Sequence, residues 1–325
     1  FTSEDSYNDV ITDSTSTGCY TIERTWTANA ADHCGNDSTT TCTQTITVMD
    51  NIKPSIDLTC PQDTTVYVDA DCAVDLSTSS TGDITVTYDD NCLFTSEDSY
   101  NDVITDSTST GCYTIERTWT ANATDECGND STTTCTQTIM VMDNIKPDVT
   151  LTCPTDTTVY VDETCGVDLD PSSTGDITVI YDDNCVFTSE DSYNDVVIDS
   201  TGTGCYTFER TWTAIATDDC GNDSTATCTQ TITVSDTLAP TWDAYDIYLF
   251  ASCDEILDPT DPTLIPISAT DNCSGVRYEI EAHQLSGGCP GTWMRLWTAI
   301  DSCGNRSIEA QQYIQQWDSL APALT

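Results

Sequence analysis

The ten-residue segment Phe1-Thr2-Ser3-Glu4-Asp5-Ser6-Tyr7-Asn8-Asp9-Val10 returns unchanged at Phe94 and again at Phe187, each time 93 residues on. A chain with this period cannot be one large domain, because each period must fold by the same rules as its neighbours. The end of the period repeats as well. Met49-Asp50-Asn51-Ile52-Lys53-Pro54 returns as Met142 to Pro147, and more loosely as Ser235-Asp236-Thr237-Leu238-Ala239-Pro240 and as Trp317-Asp318-Ser319-Leu320-Ala321-Pro322. Pro fixes φ and cannot continue a sheet ladder, so these X-Pro joints mark boundaries. The expected units are 51–143, 144–236 and a divergent 237–318. Residues 1–50 match only the second half of a unit, and 319–325 read as the start of a next unit or a tail. The missing half is expected from upstream sequence or from a neighbouring copy in a fibre.

Units of 82 to 93 residues are the size of one immunoglobulin-like β-sandwich and too long for a solenoid turn or a propeller blade. Within 51–143, strands are expected over 64–68, 83–88, 113–121 and 136–142, where Thr and β-branched residues alternate between Gly, Asn and Asp punctuation. No helical periodicity of useful length is present. Trp26, Trp119, Trp212 and Trp297 recur in one strand, which reads as core packing against the rarer alternative of a ligand platform. The fold class is all-β: tandem immunoglobulin-like sandwiches joined end to end and rich in disulfides.

Several motifs carry a family resemblance. Thr118-Trp119-Thr120-Ala121, Asp125-Glu126-Cys127-Gly128-Asn129, Cys135-Thr136-Gln137-Thr138-Ile139, Asp143 and Pro147 resemble the end of a hyalin-repeat (HYR) domain, and Cys60-Pro61 and Asp90-Asn91-Cys92 fit the same pattern. The resemblance is closest to the Cys-rich HYR relatives of large bacterial surface adhesins. It implies an extracellular, immunoglobulin-like module linked to adhesion. The fourth unit departs from the pattern, with Ala310 where the last-strand Cys belongs.

Nineteen Cys, none in a C-x-x-C pair, with only His33 and His283 beside them, argue for disulfides in an oxidising space over zinc. Cys253 to Cys273 spans 20 residues, as does Cys72 to Cys92, so the fourth unit lacks counterparts of both Cys60 and Cys135. Their joint absence suggests the pair Cys60–Cys135. Shared poles of a sandwich suggest Cys72–Cys112 and Cys92–Cys127. The corresponding expectations are Cys153–Cys228, Cys165–Cys205 and Cys185–Cys220, then Cys253–Cys289 and Cys273–Cys303. Each bridge contributes about 2–4 kcal/mol by restricting the unfolded chain.

There are 55 acidic residues against 8 basic ones, a net charge of −47, which disfavours nucleic acid and anionic membrane as partners. Neighbouring copies or further repeats are the expected partners, with glycans as a further possibility. The segment contains no apolar run long enough to insert in a membrane. Oxygen ligands gathered at a joint suit Ca²⁺, the one cofactor these residues suggest. The candidates are Asp50, Asn51, Asp89, Asp90, Asn91, Asp125, Asp130 and Asp143, with Asp182 and Asp183 in the next unit. The alternative is solvated turn residues. Asp followed by Ser or Thr and another Thr resembles a bacterial O-glycosylation acceptor, at Ser14, Ser38, Thr64, Ser107, Ser131, Thr157, Ser200 and Ser224. Asn36, Asn129 and Asn222 lie in Asn-Asp-Ser sequons.

Two non-recurring His residues and no Gly-rich phosphate loop give catalysis no support, and the expectation is a non-enzyme. Two functions remain open: a structural stalk or filament region, and an adhesin module recognising polysaccharide or a surface. An aromatic cluster facing solvent in one unit alone would favour the second, with Trp242, Tyr245, Tyr248, Trp293 and Trp317 as its candidates.

Overall fold

The computed structural model describes residues 1–14, 17–107, 110–253, 258–263, 266–273 and 275–318. The proposed tail 319–325 and the acceptor-motif residues Thr15 and Thr108 lie outside them. The chain forms two compact bodies, one of residues 1–147 with 183–188 and 217–222, the other of the remaining described residues.

In the first body, β1 (Thr2–Ser14), β2 (Tyr20–Ala31) and β3 (Asp37–Val48) form one antiparallel sheet. Then follow β4 (Ser55–Thr59), β5 (Thr64–Tyr67), the one-turn helix α1 (Thr78–Thr81), β6 (Thr85–Asp89), β7 (Phe94–Ser107), β8 (Tyr113–Asp125) and β9 (Asp130–Met142). Here β4 pairs with β6, while β5, β9, β8 and β7 form a second sheet in that order. β5 runs parallel to β9, from Thr64 opposite Ile139 to Tyr67 opposite Met142. The chain therefore crosses from one sheet to the other at Cys60-Pro61, between β4 and β5.

The second body repeats this plan. It comprises β10 (Asp148–Thr152), β11 (Thr157–Tyr160), α2 (Pro171–Thr174), β12 (Thr178–Asp182), most of β13 (Phe187–Gly202) and of β14 (Cys205–Asp218), and β15 (Asp223–Ser235). After them come β16 (Thr241–Trp242), β17 (Tyr248–Ser252), β18 (Ala269–Thr270), β19 (Arg277–Ser286), β20 (Gly291–Ile300) and β21 (Ala310–Trp317). Pairs β10-β12 and β16-β18 accompany four-stranded sheets β11-β15-β14-β13 and β17-β21-β20-β19. The fold is all-β, in tandem sandwich units.

Period-two alternation sets the cores. β8 turns Ile115, Arg117, Trp119, Ala121, Ala123 and Asp125 inward and Thr or Glu outward; β9 turns in Gln137, Ile139 and Val141. The apolar cluster around Val68, Ile115, Ile139 and Val141 is small, with Val66, Val74, Leu76 and Tyr113 packed against it. Trp119, Trp212 and Trp297 are buried at 3%, 2% and 0% exposure, as core packing expects. Trp26 stays 39% exposed, since the β1–β3 sheet has no facing sheet among the described residues.

Candidate functional site

Five disulfides cross from one repeat to the next. They are Cys19–Cys127, Cys72–Cys185 and Cys112–Cys220 in the first body, with Cys165–Cys273 and Cys205–Cys303 in the second. Their Cα separations, 4.9–5.6 Å, fit bonded cysteines. These links replace the expected Cys72–Cys112, Cys92–Cys127, Cys165–Cys205, Cys185–Cys220 and Cys273–Cys303. The correction has a plain cause. Cys72 and Cys112 do share a pole, since Tyr67 pairs with Met142 and Tyr113 with Val141. That pole, however, meets the pole of the next unit carrying Cys185 and Cys220, so four cysteines converge and bond across the joint. Cys60–Cys135, Cys153–Cys228 and Cys253–Cys289 are bonded within their units. Cys34, Cys42 and Cys92 are free thiols.

The approach needs glycine. A Cβ on Gly111 would sit 2.7 Å from Cys185 Sγ and 3.5 Å from Asp143 Cβ, so any side chain there displaces the staple. The other wall is the Asp-x-Cys-Gly-Asn turn. Asp125 Oδ1 accepts the Cys127 and Asn129 N–H groups at 2.9 and 2.7 Å, and Gly128 closes the turn at φ +88°. Asn129 Nδ2 then donates to Asp125 Oδ2 at 2.7 Å and to the Asp50 carbonyl at 3.2 Å, fastening the linker to the turn. Asn222 does the same to Asp143, and Asn305 to Asp236.

Carboxylates converge at these joints. Oxygens of Asp143, Asp183 and Asp218 lie within 4.8 Å of one another. Asp143 and Asp218 are 2% and 4% exposed. Asp143 Oδ2, Asp183 Oδ1 and the amide oxygen Asn184 Oδ1 are buried without a hydrogen-bond partner. Burial, and then the charges of Asp143 and Asp218, raise the pKa of Asp183 above the ordinary carboxylate value. Buried acceptors with nothing to accept from are costly, and a hard cation relieves both the repulsion and the missing bonds. The three carboxylates, with the unpartnered amide oxygen of Asn184 next to Asp183 in sequence, are a donor set that fits Ca²⁺. Near the third joint Asp236, 2% exposed, groups with Asp301 and Cys303, and Asp236 Oδ2 and Asn272 Oδ1 are likewise buried and unpartnered. At the first, Asp50 groups with Asp125 and Cys127; Asn91 Nδ2 donates to Asp50 at 2.8 Å, and Asp90 Oδ1 is buried without a partner.

Of the sequence-expected ligands, the structure brings Asp50 to Asp125 and Asn91, and Asp143 to Asp183. Asp89 and Asp182 instead end strands opposite Ser55 and Asp148, Asn51 is exposed, and Asp130 offers its carbonyl to Lys53 Nζ at 3.1 Å. Asp218, Asn184, Asp236, Asn272 and Asp301 were not expected, although Asp125 to Asp218 is one period of 93 residues and carried the signal.

Among the acceptor positions, Ser14, Ser38, Ser107, Ser200 and Asn36 are exposed, and Thr64, Thr157 and Ser224 are half-buried. Ser131 donates to the Pro54 carbonyl. A glycan on Asn129 or Asn222 replaces one Nδ2 hydrogen, so one of the two bonds that tie the turn and the linker together is given up.

In the fourth unit Trp242 and Tyr245 pack around Trp297, and Trp293 packs against Leu249, Ala251 and Ile314. Tyr248, Phe250 and Trp317 instead face solvent at 59%, 63% and 60% exposure. Tyr248 stacks on Tyr313 at 5.5 Å between ring centres, and Phe250 lies 6.1 Å from Trp317.

No family model matches this chain, and no curated protein does. Among solved structures it is similar to the protocadherin gamma B7 EC3–6 cis-dimer, at 15% identity over 97% of this chain and 93% of that one, with a TM-score of 0.28. It is also similar to Drosophila N-cadherin EC1–4, at 13% identity over 97% and 92%, with a TM-score of 0.23. At these scores the likeness adds no ligand, partner or activity. The eight disulfides place the chain outside the cell, in an oxidising compartment. No helix among the described residues is long and apolar enough to cross a membrane.

Proposed function

We propose that this chain is a tension-bearing, non-catalytic repeat region of an extracellular filament or cell-surface stalk, built of HYR-like units 51–143, 144–236 and 237–318 in series. The disulfides that cross each joint carry the reading. They give tension a covalent path that bypasses most of every sandwich. The shortest bonded route enters from Phe1 to Cys19, passes Cys127 to Cys112 and Cys220 to Cys205, and leaves from Cys303 to Thr325. At about 3.4 Å per residue, that route is roughly 250 Å long, against roughly 1,100 Å for the reduced backbone. Pairing confined within units leaves close to twice the stapled length.

Single-molecule stretching from the two ends tests this. Oxidised molecules stop extending near the stapled length, and a phosphine reductant releases the full backbone. An oxidised chain that already extends to the reduced length contradicts the proposal.

The joint carboxylates belong to the same reading. Asp143, Asp183, Asp218 and Asn184 would hold Ca²⁺, which neutralises their charge and stiffens the joint between two units. The exposed rings Tyr248, Phe250 and Trp317, with the half-buried Tyr313 stacked on Tyr248, favour a second reading for the fourth unit alone, a stacking face for polysaccharide.

A further inference from the structure

The cysteines at the joints occur in two different pairings. Cys72 and Cys112, and their period-equivalents Cys165 and Cys205, reach forward to Cys185 and Cys220, and to Cys273 and Cys303. The equivalents in the fourth unit are Cys253, which follows the parallel edge strand β17, and Cys289, which precedes β20. No later unit follows them among the described residues, and they bond to each other, with Cα atoms 6.0 Å apart. The same pair of positions is thus open in two units and closed in one.

The two staples of one joint are neighbours. A Cβ on Gly204, the residue before Cys205, would lie 2.6 Å from Cys273 Sγ and 3.4 Å from Cys165 Sγ, so the two staples of that joint are side by side. At the preceding joint Cys220 Sγ accepts the Asp143 N–H at 3.3 Å, and the Gly111 Cβ position is 3.5 Å from Asp143 Cβ and 2.7 Å from Cys185 Sγ. Both staples of that joint therefore approach one linker residue.

We propose that the forward pole of each unit is a covalent docking site with two disulfide states, closed on itself as Cys253–Cys289 or exchanged onto an incoming unit of the same kind. The incoming unit presents the acidic Asp-x-Cys-Gly-Asn pole with its own two cysteines joined. A thiolate, from a small thiol or a dithiol isomerase, attacks one sulfur of the closed bridge and frees the other as thiolate. That thiolate attacks the incoming disulfide, forms the first staple and releases a cysteine thiolate. The released thiolate displaces the bound thiol, forms the second staple and returns the catalyst. Two disulfides are consumed and two are made, so no oxidant is needed. The inference rests on the stapled joints of the tension-bearing reading and adds how they are made.

The test uses the full chain with Cys185→Ser and Cys220→Ser, mapped by non-reducing proteolysis and mass spectrometry. Cys72 and Cys112, deprived of their partners, are expected to be recovered bonded to each other, as Cys253 and Cys289 are. Recovery of both as free thiols, in a chain whose Cys60–Cys135 bridge is intact, overturns the proposal. The wild-type chain in a glutathione buffer gives an answer independent of how the variant folds: Cys72–Cys112 is the first new linkage as staples open. Staples that open only to free thiols or glutathione adducts overturn it too. Wild-type chains lacking the staples altogether would instead refute the tension-bearing reading itself.

Discussion

Arg117 shows what a single residue does in so small a core. Fully buried, it meets Asp102 through Nε at 2.7 Å and Nη2 at 2.8 Å, Thr81 through Nη1 at 2.7 Å, and the Leu76 carbonyl at 2.9 Å. Its guanidinium also lies 4.2 Å from the Tyr100 ring centre, over the face of the ring. Arg210 repeats every one of these contacts with Asp195, Thr174, Leu169 and Tyr193. The bidentate fork can be satisfied only by a planar guanidinium, so Lys is no substitute. The tryptophan beside it was legible as core from its recurrence. The arginine was not, because in sequence it occupies an ordinary alternating strand position, and its partners lie 15 to 41 residues away. The fourth unit's exposed rings carry a prediction at this scale. If they form a stacking face, the chain is retained on insoluble cellulose or chitin, and Phe250→Ala with Trp317→Ala lowers retention about tenfold, two aromatic contacts of ~0.5–1.5 kcal/mol each. A wild-type chain that passes both matrices unretained removes that reading.

Among the elements, β8 and β9 were legible because one face is apolar and the other Thr. β7 was not: Phe94 is its one partly buried residue, and its fourteen-residue run shows no alternation. Its strand character comes from the ladder to β8, running from Phe94 opposite Asp125 to Ser107 opposite Tyr113. The short α1 escaped as well, since it is held by Asp75, which accepts from the Ser77 N–H at 2.9 Å and from the Ser80 hydroxyl. Those bonds pull the Asp75 pKa down to about 2. The loops at the joints were half legible. Acidic residues at a shared pole were readable, but which of them lose their partners depends on the neighbouring unit. Titration calorimetry of the whole chain with CaCl2 checks that element. Binding is expected in the micromolar to millimolar range, with Asp143→Asn plus Asp183→Asn reducing the number of bound ions by one. Absence of binding up to millimolar Ca²⁺ contradicts the site.

At the scale of the molecule, the chain answers a shortage of apolar core with covalent bonds. Three of its eight disulfides close a unit and five tie one unit to the next. Cys60–Cys135 and Cys153–Cys228 could be reasoned from which cysteines are missing together in the fourth unit, and Cys253–Cys289 from a shared pole. The crossing ones could not, because nothing in one period reveals that its pole will meet another. The central claim is therefore one of connectivity, and non-reducing peptide mapping of the oxidised chain tests it most directly. The account predicts linked peptides joining Cys72 to Cys185, Cys112 to Cys220, Cys165 to Cys273 and Cys205 to Cys303. Recovery of Cys72–Cys112 with Cys185–Cys220, and of Cys165–Cys205 with Cys273–Cys303, would contradict it.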